Sequence, residues 1–298
     1  MSSHSTHNEG RAGLAWALVA YGLWGLFPIY WKQLSSVPAM EVLAHRIVWS
    51  VVFTLGVLVL RRRLGEVVRT VRDRALLKTL LISTLLIATN WGLFIWAVSE
   101  NRVTEASLGY YINPLLNVVL ARVFLGERLS GLQLAAVCLA ACAVLYLTIV
   151  QGSLPWVSLV LAVTFSLYGL VRKRAPVGPL IGLTVETGLA LPVAIVYLLL
   201  LDPPFSSLGS APLGIRALLV GAGIATALPL LAFAAAAHRL RYTTLGMVQY
   251  LAPSVQLACA VLLYGEPFRQ EQFVSFALIW IAVALYVAEA VRHRPRAG

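Results

Sequence analysis

The stretch YYINP, residues 110–114, is followed by Gly126-Glu127, and QYLAP, residues 249–253, is followed by Gly265-Glu266, each pair twelve and thirteen residues after its proline. At the same offset of 139, Asn117 meets Gln256, Arg102 meets Arg241, Thr104 meets Thr243 and Phe94 meets Phe233. With a slightly different offset, LWGL (23–26) meets LYGL (167–170) and VPAM from 37 meets VGPL from 177. The chain therefore contains one module twice, and each copy is long enough for about five helices that cross a membrane. Five is odd, so the second copy enters the membrane from the opposite side. The expected architecture is an inverted repeat, a construction of many secondary transporters.

Composition supports the membrane setting. Of 298 residues, 60% are hydrophobic and only 12% charged, with a mean hydropathy of +0.84, whereas soluble domains carry about twice that share of charge. Ten apolar spans are predicted at about 12–32, 39–60, 75–98, 104–124, 131–150, 154–171, 179–200, 214–236, 243–263 and 272–291. The reading is an all-α integral membrane protein: a cytoplasmic polar tail 1–11, a first repeat 12–150, a second repeat 151–291 and a basic cytoplasmic tail 292–298. The first ten residues, MSSHSTHNEG, are polar and no cleavage site follows a short apolar core, so the first span is expected to be retained. Cys138, Cys142 and Cys259 all fall within spans and are expected to be small buried filler, with no disulfide framework.

A net charge of +11 raises the question of nucleic acid, which the positions of the 23 Lys and Arg answer. With the N-terminus inside, the outer side holds only Lys32, Arg102, Arg216 and Arg269, and Arg46 alone lies within a span; the remaining basic residues fall on the cytoplasmic side. That asymmetry follows the positive-inside rule and puts both termini in the cytoplasm. Membrane lipids, including anionic headgroups, are the expected partners of the basic loops, and nucleic acid is not.

AYGLWGLFPIYWK, EVLAHRIVWS, NWGLFIWAV, EASLGYYINPLLNVVLARVFLGERLS and VETGLALPVAIVYL resemble the RarD family of the EamA drug/metabolite transporter superfamily. The likeness runs from about Leu14 to Val287, and HR in the second span with GYYINPL in the fourth carries it. The resemblance implies ten helices in two EamA-type halves and an inner-membrane permease associated with chloramphenicol sensitivity or resistance.

Candidate functional residues fall into three groups. An ionisable group within a span is costly and implies a partner or a wet cavity. Arg46 lies eight residues from Pro38, about 12 Å along a helix. Glu186, the one acid deep within a later span, falls at the His45-Arg46 position under the VPAM/VGPL match, on His45 when Pro38 is set against Pro179. Arg46 and Glu186 are expected to pair, with His45 beside either, as a packing bridge or as a gate. If transport is proton-coupled, Glu186 with His45 is the titrating candidate.

The second group, aromatic and amide-bearing, suits a pocket for small organic molecules. It comprises Trp24, Asn90, Trp91, Tyr110, Tyr111, Asn113, Asn117, Gln249, Tyr250 and Gln256, with Phe27 and Phe94 nearby. Tyr30 and Trp31, near a span end, read instead as interfacial belt residues. The third group is Pro114 and Pro253, matched prolines expected to act as hinges or static bends.

The Gly-Glu pairs read as turn and interface features. No catalytic residues and no cofactor or metal site are suggested. The two aspartates, Asp73 and Asp202, lie in loops, HExxH is absent, and His4, His7, His238 and His293 form no ligand spacing. The expected function is an alternating-access permease exporting small organic molecules, drugs or metabolites, with a channel or a lipid-handling protein as the rival.

Overall fold

A computed structural model describes residues 3–125, 130–201, 206–237, 239 and 248–292; Gly126-Glu127, Asp202, His238, Arg241, Thr243 and most of the basic tail lie outside them. The described chain is helical throughout: α1 (Ser3–Gly25), α2 (Phe27–Lys32), α3 (Ala39–Leu60), α4 (Leu64–Arg72), α5 (Arg74–Ser99), α6 (Val103–Leu125), α7 (Gly131–Gln151), α8 (Trp156–Arg174), α9 (Pro179–Leu199), α10 (Ser206–Ser210), α11 (Leu213–Ala237), α12 (Leu251–Ala258, continued by a π turn Cys259–Leu263) and α13 (Gln270–Arg292). By length and apolarity, six described helices can cross a membrane: Arg11–Lys32, Ala39–Leu60, Arg74–Ser99, Gly131–Val150, Pro179–Leu199 and Leu213–Phe233. Trp156–Arg172, Leu251–Leu263 and Gln270–Leu285 are shorter apolar helices.

Local chemistry sets the boundaries. Asp73 accepts from the backbone N–H groups of Ala75 and Leu76 at the start of α5, and Ser130 with Gln133 forms a capping box on α7. Gly152 ends α7 at φ 66°, a left-handed position that glycine takes without steric cost. The first expected span is broken at Leu26. Pro28 has no N–H to offer the carbonyl of Trp24, four residues back, and that carbonyl instead accepts from Gln256 Nε2 of α12 at 3.1 Å. Helix α4 was not expected: it carries Leu64, Val68 and Val71 along one exposed stripe among the arginines of the 61–74 segment, as an interfacial helix does.

The helices pack as a bundle whose outside is apolar and whose inside holds the polar groups. Val193, Val196 and Leu199 of α9, Leu200 just after it and Ile149 of α7 face outward, while Arg46, Asn90 and Glu186 are buried. Cys259 is buried as expected; Cys138 and Cys142 are exposed, because α7 turns that face away from the bundle. Helix α1 packs on α11 and α12, α8 on α5 and α6, α3 on α11 and α9, α5 on α9, α6 on α12, and α7 on α13. Leu58 near the end of α3 clusters with Leu180 and Ile181 at the start of α9. At the opposite end, Glu41 accepts from the backbone N–H of Ser207, just beyond α9. Helices α3 and α9 therefore run antiparallel.

Glu266 follows Gly265, whose φ of 62° makes the turn possible. Its buried carboxylate accepts from the N–H groups of Val103 and Thr104, both at 2.8 Å, and from the Thr104 hydroxyl at 2.7 Å. This caps α6 from a distant part of the chain and agrees with reading Gly265-Glu266 as a turn and interface pair. Glu266→Ala leaves those donors without an acceptor and is expected to cost about 1–2 kcal/mol, read as a lower denaturant midpoint in mixed micelles.

Candidate functional site

Two polar centres lie inside the bundle. The first is built on Arg46 of α3, 2% exposed. Its guanidinium carbon sits 4.0 Å from the ring centre of Trp91 (α5), 4.9 Å from Trp31 and 5.7 Å from Phe27, both of α2. Such spacing gives cation–π attraction, which strengthens when water is excluded. Trp31 is 1% exposed, so it is a wall of this centre and not the belt residue expected from its place near a span end. Tyr30 likewise turns inward, its hydroxyl donating to the Leu218 carbonyl of α11 at 2.5 Å. His45 lies 3.9 Å from Glu41, one turn earlier, an ion-pair distance too long for a hydrogen bond.

The second centre is built on Glu186 of α9, 2% exposed. Ser83 of α5 donates to its Oε1, Tyr168 of α8 to its Oε2 at 3.4 Å, and the Thr84 hydroxyl to its backbone carbonyl at 3.3 Å. Its cation is Arg172, at the end of α8, with Nε 3.5 Å from Oε1. Gly182, one turn before Glu186, makes room: a β-carbon there would overlap the Arg172 guanidinium.

The expected Arg46–Glu186 pair is thus not formed, and His45 belongs to neither charge. Because α3 and α9 are antiparallel, residues equally far from their own N-termini lie at opposite depths. With Leu58 beside Ile181, Arg46 is level with Val193, about 10 Å along the axis from Glu186 at about 1.5 Å per residue. The alignment that puts Glu186 at the His45-Arg46 position of the other repeat is the reason these side chains are apart. Sequence reading missed Arg172, placed beyond the sixth span, together with Ser83, Tyr168 and Glu41. Glu41 had a signal in its i, i+4 spacing to His45.

The aromatic and amide candidates fall into two groups on corresponding helices. Asn90 (α5) donates to the Leu161 carbonyl and the Thr164 hydroxyl of α8, both at 3.0 Å, and accepts from Tyr110 (α6) at 3.1 Å. Phe94, at 5.7 Å, and Phe165, at 5.9 Å, flank the Tyr110 ring. Asn113 is fully buried, its Oδ1 accepting from Ser166 at 3.3 Å. On the other side Trp24 (α1) packs 5.8 Å from Phe233 (α11), beside Gln256. Tyr111 and Tyr250 join the groups, stacked at 6.2 Å with 23° between rings, and the Tyr111 hydroxyl meets that of Ser254 at 2.6 Å. Asn117 and Gln249 are partly exposed. Pro114 lies inside α6, but Pro253 sits in the first turn of α12, where its missing N–H breaks no bond within that helix. Asn90→Leu removes the link among α5, α6 and α8 and is expected to cost about 1–2 kcal/mol, measured by thermal unfolding in detergent.

An apolar-coated bundle with charges turned inward suits a membrane-spanning protein. The EamA-like transporter family model matches residues 11–149. Protein RarD of Salmonella typhimurium is 44% identical over 284 residues, covering 95% of this chain and 97% of that protein. The uncharacterized transporter YojE of Bacillus subtilis is 42% identical, covering 96% and 97%. The chloramphenicol-sensitive protein RarD of Pseudomonas aeruginosa is 34% identical, covering 92% of each. A solved crystal structure with 18% identity aligns with a TM-score of 0.59 over 94% of this chain and 98% of that one, which establishes a shared fold.

The protein is a membrane transporter of the EamA type. The chain belongs to the RarD family, whose bacterial members are multi-pass proteins of the inner membrane.

Proposed function

We propose that this protein is a secondary transporter that exports small organic molecules, drugs or metabolites by alternating access, through ten spans arranged as two inverted five-helix halves with both termini cytoplasmic. The supporting observation is the symmetry of the packing. Helix α1 meets α11 and α12 as α8 meets α5 and α6, the equivalent helices α3 and α9 run antiparallel, and Tyr111 stacks on Tyr250, its own counterpart 139 residues on. Halves related in this way can exchange conformations and so expose a midplane site to either side. Pro114, which removes one bond from the ladder of α6, is a suitable hinge. The name chloramphenicol-sensitive protein belongs to one relative and supports a cargo of partly aromatic small molecules.

The test is counterflow in proteoliposomes against a metabolite panel that includes chloramphenicol. Saturable flux that an unlabelled excess competes away is the expected result; flux rising linearly without saturation identifies a channel and overturns the reading. An imposed pH gradient addresses coupling. Glu186, next to Arg172 with two hydroxyl donors, is the proton-accepting candidate in place of a His45–Glu186 pair. Gradient-driven flux that Glu186→Gln removes is expected, and equal rates with and without a gradient would end the proton-coupled version.

A further inference from the structure

Arg46 is the only Lys or Arg in the buried core among the described residues, and the neighbouring buried His45 faces Glu41. Among the described residues no carboxylate lies within ion-pair distance of it, and its Nε is sealed without a hydrogen-bond partner. A buried ion left in this way is destabilising by several kcal/mol unless it is paired. The aromatic neighbours answer only part of that need. Trp91 puts its ring under the guanidinium carbon, 4.0 Å from the ring centre. The N–H groups point outward within that plane, where only acceptors satisfy them, and a fork of such donors matches the two oxygens of a carboxylate.

The surrounding groups fix the charge of the acceptor. His45 is turned toward Glu41, the Tyr30 hydroxyl is committed to Leu218 and the Tyr110 hydroxyl to Asn90. Among the described residues no second Lys or Arg stands in the buried core to balance a dianion such as a phosphate ester, so a single negative charge neutralises the centre. The walls are planar and apolar: Phe27, Trp31 and Trp91 around the cation, with Phe94 and Tyr110 in contact further along α5 and α6. We infer that Arg46 is the anchor for a monocarboxylate with a planar, apolar body, and that this is the chemical class of cargo or of its exchange partner. The inference rests on the transporter reading for the word cargo; the binding site itself does not.

The experiment uses the full-length protein in phosphatidylcholine nanodiscs, titrated with benzoate, phenylacetate and indole-3-acetate against benzamide, phenylacetamide and indole-3-acetamide. Tryptophan quenching and the shift of melting temperature are the readouts. Each acid is expected to bind about ten- to a hundredfold more tightly than its amide, the range of a charge-assisted hydrogen bond, and Arg46→Gln is expected to level the two. Arg46→Lys, which keeps the charge and loses the planar fork, is expected to retain a reduced preference. Equal binding of acids and amides, binding of neither, a preference that survives Arg46→Gln, or inorganic phosphate binding as tightly as the acids each overturns the inference. Should Arg46→Gln fail to fold, the wild-type comparison of acids with amides decides alone. Acids that bind but show no counterflow count against the transporter reading and leave the site standing; saturable counterflow confined to neutral or cationic solutes does the reverse.

Discussion

Glu186→Ala is expected to lower stability by about 3–5 kcal/mol, the cost of leaving one member of a buried ion pair unmatched. Three donors lose their acceptor at once: Arg172, Ser83 and Tyr168. Because they belong to α5 and α8, the change loosens the contact of both helices with α9. The partner is testable by rescue. Arg172→Met in the same chain removes the stranded cation and keeps its apolar stem, and the double variant is expected to regain most of the loss. Arg46→Ala with Glu186→Ala is expected to give no rescue, since those two side chains are not paired. Denaturant midpoints for the wild type and the three variants decide, and a rescue by Arg46→Ala instead of Arg172→Met would refute this assignment.

Gly223→Val is expected to have a comparable or larger effect. A β-carbon at residue 223 of α11 would overlap the carbonyl group of Trp49 and lie 2.8 Å from the backbone N of Ser50, both in α3. These are backbone atoms of a helix and cannot swing aside as a side chain does. Even Gly223→Ala therefore drives α3 and α11 apart, at about 1–3 kcal/mol for overpacking, and the branched valine is expected to leave little folded protein. Gly56→Ala is the control, because nothing lies within 4 Å of its added carbon; it is expected to gain about 0.5–1 kcal/mol of helix propensity. Yield of monodisperse protein and melting in detergent separate the cases.

These results also mark what the sequence carries and what it does not. Apolar run length located the long helices because a bilayer thickness imposes it residue by residue. The doubled YYINP and QYLAP segments pointed to Tyr111 and Tyr250, which do stack. Burial of Arg46 and Glu186 followed from the expense of charge in lipid. Their partners did not follow, since a partner depends on depth and on rotation about the helix axis, and run length reports neither. Arg172 looked like an ordinary end-of-span cation, yet it reaches back to Glu186. Trp31 looked like a belt residue for the same reason, although the break at Leu26 that turns α2 inward was foreshadowed by Pro28. Helix α4 was hidden among the arginines, although the spacing of Leu64, Val68 and Val71 already traced one side of a helix.

The caps that cross the molecule bear on how it could have been assembled in evolution and in the cell. The opening turn of α6 is completed by Glu266, the carbonyl freed in α1 by Gln256, and in the other direction the first turn of α10 by Glu41, which accepts from Ser207. Neither portion of the polypeptide, released alone, would possess all the groups its own termini require. Fragments 1–152 and 153–298 made from separate messages should accumulate only when co-produced, and an ancestral single-module dimer would have needed a second copy to supply the same grips in trans.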